Sequence, residues 1–165
     1  MKRLWVAFCA PLLILLAMAQ PAFAQNEHFV RASGTLTGTS LTATFKEAGL
    51  GANQNIDYVL SADATVTYVC VNRGGANPSA SNKTTVSGPV TAAGTFNSGK
   101  NGQITASLTL QPPGPGDFDC PRGQSLEIAQ VTYTNVTLTD TTNDVSVSLG
   151  TFSSGCLLPN VRGAC

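Results

Sequence analysis

The stretch Asn55–Asn72, NIDYVLSADATVTYVCVN, decides the fold class of this 165-residue chain. Its even positions carry mainly apolar side chains, whereas its odd positions are mostly polar or charged. Such a period of two is typical of a β-strand with one face against a core. Cys70 belongs to the inward set and is therefore predicted to be a structural half-cystine. Since a strand rises about 3.3 Å per residue, this one would be unusually long, and we expect a bend or break near Ser61–Ala64.

The same alternation recurs on both sides of this stretch. Val30–Thr37 and Leu41–Phe45 are predicted to form one or two shorter strands, and Val145–Leu149 is predicted to form another. Apolar residues of even parity also flank the turn-forming segment Asn97–Gly102, which predicts a hairpin. They are Val86, Val90, Ala92 and Phe96 before the turn, and Ile104, Ala106, Leu108 and Leu110 after it.

In Leu126–Thr139 the apolar parity changes twice, which predicts two β-bulges or a corner, because one extra residue turns a strand over. The whole sequence predicts six to eight strands and no amphipathic helix. We therefore expect an all-β fold, an antiparallel β-sandwich of Ig-like architecture. A β-barrel and a single-sheet solenoid are the alternatives, although no repeat of about 20 to 50 residues supports a solenoid.

Residues 1–24 differ chemically from the rest and have the parts of a secretory signal peptide. Lys2 and Arg3 precede an apolar run, and small residues stand at Ala22 and Ala24. We predict a single domain over residues 25–165, with a C-terminal tail closed by a disulfide. The protein is then expected to be secreted or extracellular, with the periplasm as an alternative. No second apolar run approaches the roughly 18 residues that span a bilayer, so we expect no membrane insertion after signal cleavage.

Residues 25–165 contain 20 Thr and 13 Ser but only seven basic and nine acidic residues, a formal charge of −2. Their polar surface must therefore consist mainly of hydroxyl and amide groups. Abundant Thr favours strands, because a β-branched side chain suits a pleated surface. Without a cluster of Lys or Arg the sequence offers no electrostatic footprint for nucleic acid, which we exclude as a partner.

Four of the five cysteines follow the predicted signal peptide: Cys70, Cys120, Cys156 and Cys165. An even number in an exported chain predicts two disulfides. Of the three pairings we expect Cys70–Cys120 and Cys156–Cys165, since the last two lie in a short tail that can close on itself. With one His and no C-x-x-C pair, we expect no metal site and no cofactor.

The sequence offers little for catalysis, and we expect no catalytic residue. The single histidine, His28, lies near the start of the predicted mature chain, where termini often fray, so a Ser-His-Asp triad is not expected. The loop Gln111–Gln124 carries the best candidates for ligand contact, Asp117, Phe118 and Asp119. The alternative is that Phe118 caps the edge of the core while both carboxylates are solvated charges or, less simply, oxygen ligands for Ca²⁺.

Alternating threonines suggest a second kind of surface. A flat array of hydroxyl groups can bind ice or a crystalline polysaccharide, and two runs carry such threonines: Thr35, Thr37 and Thr39, and Thr132, Thr134, Thr137 and Thr139. Because parity shifts within these runs, we expect them to change face, and we interpret them as the solvent side of ordinary strands. The short cluster Asp140–Asp144 is interpreted as a β-turn whose side chains bind nearby backbone.

The segments TYVCVNRGGANP (Thr67–Pro78), CPRGQ (Cys120–Gln124) and VTYTNVTLTD (Val131–Asp140) resemble a group of small exported bacterial β-sandwich proteins that is largely uncharacterised. The shared motifs are half-cystines with adjacent turns. The resemblance implies an exported β-domain and lends it no activity.

From export, hydroxyl-rich strands and the scarcity of catalytic groups, we expect a non-enzymatic protein with a structural, surface or ligand-binding role. Its partner would be an extracellular protein or glycan, contacted by the loops Val71–Lys83 and Gln111–Gln124. The alternative is a secreted hydrolase, or an inhibitor of one, that uses the Gln111–Gln124 loop.

Overall fold

A computed structural model describes residues 26–76 and 82–165. The predicted signal peptide lies outside the described residues, as does part of the Val71–Lys83 loop. Within the described ranges no helix is long and apolar enough to cross a membrane. The described residues form seven strands: β1 (His28–Thr37), β2 (Ser40–Ala48), β3 (Asn55–Asn72), β4 (Lys83–Asn97), β5 (Gln103–Leu110), β6 (Gln124–Asp140) and β7 (Val145–Ser153).

The strands form two antiparallel sheets. We call β1-β2-β5 the narrow sheet and β4-β3-β6-β7 the wide sheet. Their inner faces share one core, in which the rings of Phe45 on β2 and Tyr58 on β3 lie 4.7 Å apart between centroids. At the edges β1 lies beside β7 and β5 beside β4. The predicted all-β class with antiparallel layers is confirmed.

The long strand β3 is continuous from Asn55 to Asn72, so a break near Ser61–Ala64 is wrong, whereas a bend there stays a prediction. The irregularity lies instead in its neighbour: Ser61 pairs with Thr137 and Asp63 with Thr134, which leaves one extra residue in β6. A bulge in the partner strand accommodates the twist of a long pair without interrupting β3.

The two bulges predicted for β6 are confirmed. One lies near Ala129 and the other at Asn135 and Val136. Asn135 adopts a positive φ of 54°, which Asn tolerates better than most residues, and its amide donates to the Asp63 carboxylate at 2.8 Å. Each bulge restores the inward direction of the next apolar residue.

The predicted hairpin around Asn97–Gly102 is wrong, because β4 and β5 belong to different sheets. The segment is a crossover fixed by Ser98, whose hydroxyl donates to the Gly51 carbonyl at 2.7 Å and accepts from the Gln54 N–H at 2.9 Å. Even parity is inward whether two strands lie side by side or face each other across a core, so the pattern could not separate the two arrangements.

Both predicted disulfides, Cys70–Cys120 and Cys156–Cys165, are confirmed. The tail closed by the second bridge packs on the outer side of the wide sheet, where it buries Val69, Ala129 and Ala164 in a small second core. The Leu157 N–H donates to the Ala129 carbonyl at 2.8 Å. This tail explains why Val69, at an outward position of β3, is apolar.

Gly34 is required where β1 meets β7. A Cβ there would lie 2.4 Å from Cζ of Phe152, so the ring would have to leave its place against the core. We expect Gly34→Ala to lower the free energy of unfolding by about 1–2 kcal/mol in denaturant titration. Gly88→Ala on β4 is the control, since nothing lies within 4 Å of its Cβ position. Equal stability of the two variants would contradict the packing argument.

Candidate functional site

The loop between β5 and β6 is anchored at several points. The Cys70–Cys120 bridge ties it to the end of β3, and the Tyr68 hydroxyl donates to the Pro113 carbonyl at 2.6 Å. Burial raises the pKa of Tyr68, which favours the neutral, donating phenol. The backbone of this loop is therefore held close to the wide sheet.

The three predicted contact residues have different surroundings on this loop. Phe118 is half-buried and packs against the main core, as the core-capping alternative predicted. Asp117 and Asp119 are exposed. The loop thus presents two exposed carboxylates on an anchored backbone, while the Phe118 ring packs against the main core. That these three residues contact a ligand stays a prediction.

A groove of about 310 Å³ lies beside this loop, between the end of β3 and the start of β6. Its lining residues are Val71, Asn72, Arg73, Gly123, Gln124, Ser125 and Glu127. The Asn72 side-chain oxygen Oδ1 already accepts from the N–H groups of Gly74 and Ala76 at 3.0 and 3.1 Å. The charged residues of the groove are one cation, Arg73, and one anion, Glu127, and its surface is shallow and polar.

At the opposite end of the fold the structure places two carboxyl groups in the core. Glu47 of β2 and Asp140 of β6 are both fully buried, and Tyr58 of β3 is the direct strand partner of Asp140. Neither carboxylate oxygen of Glu47 nor the Tyr58 hydroxyl has a partner at hydrogen-bonding geometry among the described residues. A buried polar group without a partner carries a desolvation cost.

Burial shifts the pKa values of Glu47 and Tyr58. Burial raises the pKa of Glu47 to about 7; the nearby Tyr58 hydroxyl lowers it in part, and the Asp140 charge raises it further. Burial, followed by the Glu47 carboxylate, raises the pKa of Tyr58. Glu47 can therefore hold and release a proton near neutral pH, but no surface of its carboxyl group is open to a substrate.

Asp140 is bonded differently from Glu47. Its carboxylate accepts from the N–H groups of Thr142 at 2.8 Å and Asn143 at 3.0 Å, and from the Asn143 side-chain amide at 2.7 Å. Three donors suit a group that only accepts. The predicted β-turn interpretation of Asp140–Asp144 is confirmed.

A third polar surface is the outer side of the narrow sheet, which we call the hydroxyl face. Outward side chains form rows across its three strands, in register. From one end to the other the rows are Arg31, Lys46 and Thr105; Ser33, Thr44 and Ser107; Thr35, Thr42 and Thr109; and Thr37 with Ser40.

Within these rows neighbouring hydroxyls bond to each other between strands. Ser33 and Thr44 are 3.1 Å apart between oxygens, and Thr42 and Thr109 are 2.9 Å apart. A hydroxyl donates one hydrogen bond and accepts two, so such a pair retains donors and acceptors for a ligand. The strand spacing of about 4.8 Å and a repeat of about 6.6 Å along each strand make the array regular.

The predicted change of face within the threonine runs is wrong. Thr132 and Thr134 lie on the same outer side of β6 as Thr137 and Thr139, because the bulge at Asn135 absorbs the parity shift. Thr35 and Thr37 are likewise exposed on β1, whereas Thr39 belongs to the β1–β2 turn, where its carbonyl accepts from the Tyr133 hydroxyl at 2.7 Å. Both sheets therefore carry hydroxyl-rich outer sides.

The buried acid was missed in the sequence, yet its signal was present. Leu41, Ala43 and Phe45 alternate toward the core, and two further residues along the same parity reach Glu47. When a charged residue follows apolar residues at alternate positions of a strand, either the strand ends there or the charged group is buried. Only the partner strands decide between the two.

No protein family profile matches the chain, and no curated protein matches it in sequence. Among solved structures, the chain is similar to the sporulation control protein Spo0M from Bacillus subtilis, at 11% identity and a TM-score of 0.25. The match covers 84% of this chain and 48% of that protein, so the chain spans about half of its length. Nothing about function follows from so distant a likeness.

Proposed function

We propose that the protein is an exported, non-enzymatic β-sandwich of Ig-like architecture that binds an extracellular glycan through the hydroxyl face. The observation that carries this proposal is the set of in-register rows of Ser and Thr across β1, β2 and β5. Sugars present hydroxyl groups that both donate and accept, and rows of protein hydroxyls with spare donors and acceptors complement them. An extended glycan chain would lie across several rows at once.

The strand order supports the Ig-like part of the proposal. In the constant-type Ig fold the first, second, fifth and fourth strands form one sheet, and the third, sixth and seventh form the other. Here the same order holds except that β4 lies beside β3. The arrangement differs from the Ig pattern by the position of one edge strand.

Export and a non-enzymatic role rest on separate observations. Two disulfides suit an oxidising compartment, in agreement with the signal peptide predicted for residues 1–24. Glu47, whose pKa burial raises to about 7, is fully buried and cannot reach a substrate without a conformational change. These observations favour binding without turnover.

The anchored loop Gln111–Gln124 favours a second candidate, an inhibitor of a secreted hydrolase. An inhibitory loop gains affinity when its bound conformation is already fixed, as the Cys70–Cys120 bridge and the Tyr68 hydrogen bond fix this one. Asp117 and Asp119 would then contact the hydrolase. The hydroxyl face offers nine Ser and Thr side chains, whereas the loop offers two carboxylates, so we place the glycan proposal first.

The test uses oxidised protein over residues 25–165 and a panel of neutral and acidic polysaccharides. Sedimentation with insoluble glycans and affinity electrophoresis with soluble ones measure retention, while reducing-end assays measure turnover. We expect retention of at least one glycan with no new reducing ends. Release of reducing ends would contradict the non-enzymatic role, and retention of no glycan would contradict glycan binding.

A variant of the loop distinguishes the two candidates. Asp117→Asn/Asp119→Asn removes both carboxylates while the bridge and the backbone anchors stay. We expect unchanged glycan retention, since neither Asp117 nor Asp119 belongs to the rows of the hydroxyl face. Loss of retention in this variant would transfer the contact to the loop.

A further inference from the structure

We propose that the ligand of the hydroxyl face is an acidic polysaccharide, a chain of sugars bearing carboxylate groups, which Arg31 and Lys46 hold at one end of the face. This inference rests on the proposed glycan binding and specifies its substrate class. It is carried by the placement of charge on the narrow sheet.

The hydroxyl face carries positive charge at one end. Arg31 and Lys46 are direct strand partners, and Thr105 completes their row. The outward residues of β1, β2 and β5, three strands that the structure describes in full, include no Asp or Glu. A protein whose predicted mature chain has a charge of −2 thus concentrates two cations where no acid of the same face neutralises them.

The second step is that this pairing is unfavourable by itself. Like charges directly opposite each other in a sheet are destabilising, and an anion between them would convert repulsion into attraction. The Arg guanidinium has a planar set of donors that matches a carboxylate in two parallel hydrogen bonds. A uronic acid carboxylate is therefore a better fit here than a neutral sugar.

The third step is the shape beside the cations. A groove of about 520 Å³ runs from Arg31 across the next row, lined by Ser33, Thr44, Thr105 and Ser107, with Phe45 and Ala106 at its floor. Its walls offer one cation and four hydroxyls. A sugar ring placed there could put its carboxylate on Arg31 and its hydroxyls on the Ser and Thr side chains.

The outer side of the wide sheet differs in charge from the hydroxyl face. The wide sheet also carries Ser and Thr in rows, but its outward residues include Asp57 and Asp63, which accept hydrogen bonds from Thr95 and Asn135. Repulsion would keep a polyanion from that side. The two hydroxyl-rich sides thus differ in sign of charge, and only the narrow sheet suits an acidic chain.

The choice of a polysaccharide over nucleic acid follows from the number of cations. Phosphate-backbone binding draws on many Lys and Arg contacts along a duplex, whereas this face has two cations and nine Ser and Thr side chains. Hydrogen bonding to sugar hydroxyls would supply most of the contact. The charge pair then selects the acidic chain among glycans.

The experiment compares polygalacturonate and alginate with the neutral chain dextran and with duplex DNA, at low and at high salt. We expect the two acidic glycans to be retained, dextran to be retained more weakly, and the preference to shrink as salt screens the charges. Arg31→Gln/Lys46→Gln should reduce retention of the acidic glycans by on the order of tenfold, a larger loss than that of dextran. Lys100→Gln/Arg162→Gln is the matched control, because it removes the same charge from two exposed positions outside the face.

Each outcome decides between the two proposals. Equal retention of acidic and neutral glycans, independent of salt, overturns the acidic class while the glycan proposal stands. Tighter binding of DNA than of polygalacturonate, or an equal loss in the control variant, also overturns it. Retention of no glycan overturns both. Circular dichroism and the unfolding midpoint of each variant verify that the fold is unchanged; Thr42→Val/Thr44→Val, which keeps shape and charge, should weaken retention of every bound glycan.

Discussion

Raising the pH from about 5 to about 8 is expected to lower the free energy of unfolding by about 2–3 kcal/mol through Glu47 alone. The pKa of this buried carboxyl is about 7 in the fold, compared with 4.5 for an unperturbed glutamate. Between these values the folded state binds a proton that the unfolded state releases. The stability contributed by the neutral form is complete below the unfolded pKa and is lost as the pH rises through 7.

Glu47→Gln isolates this effect, since the amide keeps the shape of the neutral acid and does not titrate. We expect the stability of the variant to vary less with pH than that of the native chain, and to exceed it at about pH 8. Urea titrations at several pH values measure the difference. Asp140, Tyr58 and Glu27 also act on Glu47, so the difference between variant and native curves is the informative quantity.

Glu127→Gln provides the control for this titration. Glu127 is an exposed residue of β6, so its replacement removes a carboxylate and leaves the core unchanged. Its variant should follow the pH dependence of the native chain. A constant stability difference between Glu47→Gln and the native chain from pH 5 to pH 8 would contradict the buried-acid interpretation.

The sequence predicted the strands better than their arrangement. Alternation in β3 placed Cys70 inward, and two parity changes in β6 became two bulges, because a period of two reports directly which side of a strand is buried. The same signal could not assign β4 and β5 to different sheets. Parity records the side that a residue faces and carries no information on which strand lies beside it.

The candidate site was harder to predict for the same reason. Thr35, Thr42 and Thr109 come from three separate segments, and they form one row only because β2 lies between β1 and β5. The parity shift in β6 predicted that its threonines change face. The bulge at Asn135 instead keeps threonines of different parity on one face. The pairing of the two cations Arg31 and Lys46 likewise depends on the register of β1 against β2, which the sequence does not show.

Replacement of the Cys70–Cys120 bridge is expected to have the largest effect of any change considered for this protein. The bridge closes a loop of 50 residues, and the chain-entropy relation gives a loss of about 4 kcal/mol when it is removed. Cys70 is fully buried, so Cys70→Ala/Cys120→Ala also leaves a gap in the interior. Denaturant unfolding of this variant measures the sum of both costs.

The Cys156–Cys165 bridge provides the matched comparison. It closes only nine residues, for which the same relation gives about 3 kcal/mol, and the tail it closes packs on the outside of the wide sheet, apart from the main core. Cys156→Ala/Cys165→Ala should therefore cost less, with faster hydrogen exchange confined to the tail and to the strand residues beneath it, Val69 and Ala129. If the tail variant proved the less stable of the two, the main core would depend on the tail for its stability, and the expectation that the Cys70–Cys120 bridge contributes more would be wrong.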